Sequence, residues 1–102
     1  MVSMNGNWLW GSGSSATSNY AGKMNLRQVG AKIEGEYSYP GFLGIQVSGK
    51  IEGSIDGYMV KGTFHETASG GSFEWTISQD ETSFTGPYSG SWGKGVWFGK
   101  RP

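Results

Sequence analysis

The sequence predicts an all-β chain, a single eight-stranded antiparallel up-and-down (meander) β-barrel. Three observations carry this. Apolar and polar residues alternate at period two over most of the length, no stretch shows a helical period, and turn-forming residues interrupt the alternation at short intervals. With 102 residues, 1–102 reads as one domain with one modest core. Nineteen glycines could signal disorder, but here they sit in phase with fifteen aromatic residues (five each of Trp, Tyr and Phe).

The elements follow in order. A first strand near 6–11 carries Gly6, Trp8 and Trp10. A second, near 19–29, alternates Tyr20, Gly22, Met24, Leu26 and Gln28 with Ala21, Lys23, Asn25 and Arg27. Gly30-Ala31 suits a tight turn with a positive φ at its first centre. The third strand, near 32–39, places Ile33, Gly35, Tyr37 and Tyr39 on one face. The loop at 40–44 leads into a fourth, near 45–55, with Ile45, Val47, Gly49, Ile51, Gly53 and Ile55 in phase. Asp56-Gly57 is a two-residue hairpin signal. Strands near 58–66, 71–78, 83–89 and 95–101 complete the meander, separated by loops at 67–70, 79–82 and 90–94.

These turns set expected registers. Leu26 faces Gly35, Gly35 faces Gly49, Ile55 faces Tyr58, Gly62 faces Trp75, and Trp75 faces Gly86. Outside, Arg27 meets Glu34, Lys32 meets Glu52, Glu34 meets Lys50, and Glu52 meets Lys61. Large residues meet small ones inside and opposite charges meet outside. A one-residue slip would invert every face. The recurring Gly-x-aromatic pattern gives each ring room and permits the bending a small closed barrel needs. Eight twisted strands closed this way have no free sheet edge.

Composition excludes several functions. Eight basic residues balance eight acidic ones, which argues against nucleic acid as a partner. Without cysteine there are no disulfides or thiolate metal sites, a composition that fits a cytoplasmic setting. No apolar run reaches the ~20 residues of a membrane-spanning helix. No cofactor motif is present, and none is expected to be bound.

The first strand opens Gly6-Asn7-Trp8 and the last ends at Arg101. A Gly-x-Trp start with a last-strand arginine resembles the signature of lipocalins and related calycin barrels, a group that includes the avidins. The resemblance implies that Trp8 plugs one end and Arg101 packs across it. It covers the whole chain as topology and four residues as motif. This chain lacks the helix that follows a lipocalin barrel, shows no avidin-type biotin pattern, and ends Arg101-Pro102 rather than Arg-x-Tyr.

Strand directions make the two ends unlike. The turns at 30–31, 56–57 and 79–82 gather at one end, where Trp8, Ile33, Ile55, Tyr58, Ile77, Phe84 and Arg101 point inward. The longer loops at 11–19, 40–44, 67–70 and 90–94 gather at the other. There Trp10, Tyr20, Tyr37, Tyr39, Val47, Glu66, Tyr88 and Trp92 are the inward set, with phenol groups and one carboxylate. A small, partly apolar or aromatic ligand is expected at this mouth. The competing reading is a barrel filled by its own side chains, a structural or protein-interaction module acting as a homo-oligomer.

Chemistry elsewhere is sparse. The single histidine, His65, points outward opposite Ser48 and Ser72, poor ground for nucleophilic catalysis or a zinc site. Glu34 and Glu36 share a strand face, with Lys50 and Arg27 as expected ion partners. Glu66, inward at the mouth, is the one candidate acid or base, which keeps a small-barrel cyclase or isomerase as a further reading. Leu9, Val96 and Phe98 point outward on the first and last strands. They form an apolar patch suited to a homodimer.

Overall fold

Eight strands close into a barrel in the computed structural model, which describes residues 2–13, 20–67, 69–91 and 93–102. They are β1 (Gly6–Gly13), β2 (Gly22–Val29), β3 (Lys32–Pro40), β4 (Gln46–Asp56), β5 (Met59–Glu66), β6 (Ser69–Ile77), β7 (Ser83–Gly90) and β8 (Gly93–Lys100). Each pairs antiparallel with the next, and β8 returns to β1 to close the ring. A single 3-10 turn, Phe42–Gly44, lies between β3 and β4. Among the described residues no helix is long and apolar enough to cross a membrane.

The faces follow from the period-two pattern. Leu26 pairs with Gly35, and Ile77 with Phe84, in the expected registers. Three hairpins differ from expectation by two residues. Gly35 pairs with Ile51 instead of Gly49, Ile55 with Val60 instead of Tyr58, and Gly62 with Phe73 instead of Trp75. An even shift exchanges partners and leaves each face intact.

The causes are local. The β4–β5 turn is centred on Gly57-Tyr58, with Gly57 at φ 60°, so Tyr58 lies at the tip and is exposed instead of facing the core. At the 41–45 loop the Gly41 amide donates to the Ile45 carbonyl at 2.7 Å, which holds Ile45 outside β4. Outward charges are re-paired as well. Glu34 stands opposite Glu52 and Glu36 opposite Lys50. Arg27, although opposite Glu34, reaches diagonally to Glu36 in a bidentate pair of 2.9 Å bonds. His65 lies between Lys50 and Gly70, not between two serines.

The interior is largely packed with rings. Trp75 is sandwiched between Phe73 and Phe84, with centroids at 4.0 and 4.2 Å. Its buried indole N–H has no hydrogen-bond partner, a cost that the stacking must offset. Glycines make room for the largest residues. A Cβ on Gly22 would overlap the Trp10 indole, and one on Gly49 would overlap the Tyr37 ring.

One end is sealed by a segment outside the strand pattern. Val2 and Met4 belong to the core. The Met4 amide donates to Gln28 Oε1 at 2.8 Å, and the Trp8 indole N–H donates to the Met4 carbonyl at 2.9 Å. Arg101 lies over the Trp8 ring, 4.3 Å from its centre. Its guanidinium donates to the carbonyls of Ser3, Asn5 and Glu81 at 2.7, 3.0 and 3.0 Å.

Candidate functional site

The opposite end holds a cup of about 290 Å³. It is built from inward positions near the ends of six strands. Trp10 comes from β1, Tyr39 from β3, Phe64 and Glu66 from β5, Ser69 from β6, Tyr88 from β7 and Trp97 from β8. Trp97 is the hub of the ring cluster, with centroid distances of 4.9 Å to Trp10, 5.0 Å to Phe64 and 5.6 Å to Tyr88. Below this layer Phe73 and Trp75 also touch Trp97, so the lower barrel is filled by side chains. The structure therefore combines both expectations for the interior, a packed lower core beneath a small open cup.

Glu66 is the polar centre of the cup. Tyr37 donates its hydroxyl to Glu66 Oε1 at 2.7 Å, and Tyr39 donates to Oε2 at 2.8 Å. Strand geometry explains this arrangement. Tyr37 and Tyr39 are two residues apart on β3 and so share a face, with their rings parallel at 6.3 Å. Glu66 reaches them across β4, where its pairing partner is Gly49. A side chain at 49 would occupy the space through which Tyr37 passes. Burial, followed by the hydrogen bond to Glu66, pushes the Tyr39 phenol up to about 12. The same causes raise Tyr37 well above the usual phenol range. Both hydroxyls therefore remain protonated donors at neutral pH. Among the described residues no lysine or arginine lies within ion-pair distance of Glu66, although Lys94 lines the rim.

The other expected mouth residues are placed differently. Tyr20 is not inside. It precedes β2, where the strand alternation no longer dictates its direction, and packs edge-on against Phe98 at 5.2 Å, with Lys100 Nζ 4.4 Å from its ring centre. Phe98 points outward, as the parity of β8 requires, yet it is only 3% exposed and lies outside the main core. The expected apolar patch is therefore interrupted. Leu9 and Val96 are part-exposed, whereas Phe98 between them is covered within the chain. Trp92 and most of the 11–19 loop lie outside the described residues. Trp97 and Phe64 were not singled out from sequence as site residues, although the parity of their strands places both inward.

A larger open groove of about 940 Å³ crosses the outer wall from β1 to β5. Asn25 donates to Asn7 at 2.7 Å, and Glu36 is held by Arg27. Among the described residues no group of three or more His, Asp or Glu side chains is placed to hold a metal.

Comparison with known proteins gives the fold. No family model matches the sequence, and no curated protein matches it. Two solved structures are similar. One is a redesigned beta barrel, mFAP1, bound to DFHBI, with a TM-score of 0.76 at 12% identity, covering 96% of this chain and 94% of that one. The other is a redesigned beta barrel, b11L5F_LGL, with a TM-score of 0.77 at 15% identity, covering 97% of this chain and 91% of that one.

Proposed function

We propose that this chain is a non-enzymatic binder of a small, partly apolar or aromatic ligand, held in the cup at the open end of the barrel. The observation that carries the reading is the cup itself, with ring walls around one carboxylate whose two oxygens are each oriented by a phenol hydroxyl. Apolar walls with a few fixed polar groups are the usual composition of a small-molecule site. That a barrel of this fold was solved bound to DFHBI supports the reading. The closed end, with Trp8 under Arg101, supports a calycin-like architecture in which one end is structural and the other binds.

Binding is favoured over catalysis by what faces the cup. Its titratable lining among the described residues is Glu66, Lys94, Tyr39 and Tyr88, with His65 outside on the barrel wall. Protein purified directly from cells should show extra density in the cup in a crystal structure, and Tyr37→Ala with Tyr39→Ala should weaken the recovered ligand by at least tenfold. A cup that stays empty after purification and after a soak with a library of small aromatic fragments would end this reading.

A further inference from the structure

We infer that the occupant of the cup is an organic cation, a protonated amine or quaternary ammonium on a small apolar body. This rests on the reading of the open end as a ligand site and specifies its chemistry. Glu66 carries a negative charge into a partly enclosed, ring-lined space, and no cationic side chain among the described residues pairs with it. Tyr37 and Tyr39 each supply one hydroxyl proton, one to each oxygen. A carboxylate has about four acceptor directions. Two therefore remain for a ligand, and both hydroxyls are already committed as donors to the carboxylate.

The rings reinforce the same preference. Trp10, Tyr39, Tyr88 and Trp97 surround the cup, and aromatic faces carry negative electrostatic potential that attracts ammonium groups. An anionic ligand would meet the Glu66 charge, while a neutral ligand would gain hydrogen bonds and leave that charge uncompensated. Among the described residues Lys94 is the one cation lining the rim. It is exposed, and it acts as a weak competitor that repels an incoming cation.

The test uses the full chain and three probes of nearly equal shape: benzylammonium, benzyl alcohol and benzoate. Binding is followed by calorimetry at neutral pH and low salt, with the indole N–H resonances of Trp10 and Trp97 reporting location. Benzylammonium should bind at least tenfold more tightly than benzyl alcohol, and benzoate should be the weakest. Glu66→Gln should bring the ammonium-to-alcohol affinity ratio near one, and Lys94→Met should raise benzylammonium affinity severalfold. Equal affinities for ammonium and alcohol on the unmodified chain, or a preference that survives Glu66→Gln, would overturn the cation assignment and leave the binding cup standing. Failure of all three probes to bind would count against both. The unmodified chain and Lys94→Met decide the question even if Glu66→Gln does not fold.

Discussion

The Arg101 guanidinium lies 4.3 Å over the centre of the Trp8 ring and also donates to three backbone carbonyls. The fork geometry of the guanidinium allows both roles at once, where an ammonium would manage only part of them. Charge-assisted hydrogen bonds and cation–π contacts each contribute on the order of 1–2 kcal/mol. Arg101→Met should therefore lower unfolding free energy by about 2–4 kcal/mol, and Arg101→Lys should recover less than half of the loss. Urea denaturation followed by tryptophan fluorescence measures both. A change below ~0.5 kcal/mol in Arg101→Met would show that the clasp contributes little.

Alkaline pH should loosen the open end. Burial, followed by the bond to Glu66, raises the phenols of Tyr37 and Tyr39 above the ordinary tyrosine value of 10.0. Folding therefore favours their protonated forms. That stabilisation is complete below pH 10 and is lost as pH rises through the folded-state values, about 12 for Tyr39 and higher for Tyr37. Stability should fall above pH 10, and Tyr39→Phe should show a shallower fall. Denaturant midpoints taken across this range, with phenolate absorbance as the titration signal, provide the check.

Gly49→Ala should disturb the site as well as the fold. The added methyl would occupy the position of the Tyr37 ring. Overpacking of this kind costs about 1–3 kcal/mol. The displaced ring should also lose its bond to Glu66, so the Tyr37 titration should move back toward an ordinary phenol. An unchanged titration in a folded Gly49→Ala protein would show that the ring moves without losing its partner.

Phe98→Glu should act on stability rather than on molecular mass. Phe98 is 3% exposed beneath Tyr20. Burying an unpaired carboxylate and losing the ring should together cost at least ~3 kcal/mol. Light scattering and a denaturation curve on the same sample separate the two effects. A clean drop to half the mass with unchanged stability would mean that a second chain, not Tyr20, covers the ring.

The strands and their inward faces were legible because a period of two admits only two phases, and the turn residues fix which one applies. Hairpin registers were less legible. At Asp56-Gly57-Tyr58 two adjacent pairs can both serve as the turn, and the sequence does not say which glycine neighbour takes the tip. At the site, Tyr37, Tyr39, Glu66, Tyr88 and Trp10 followed from parity. Tyr20 did not, because it lies before its strand begins and the rule no longer holds there. Val2 and Met4 were missed for a related reason: the segment before Gly6 has no period to read, and its burial depends on Gln28 and Arg101 far along the chain.

The seam between β1 and β8 is the one ladder in the barrel that joins distant parts of the chain; every other pair is a local hairpin. The Arg101–Ser3 bond spans 98 positions. Closing so long a loop costs the most chain entropy and is rewarded only once the hairpins exist to align it. The ring should therefore close late in folding, from an open meander whose two outer strands have unpaired edges. Such edges recruit strands from other chains. By stabilising the closed ring, the Arg101 clasp lowers the population of that open state, and Arg101→Met should therefore aggregate more readily on refolding.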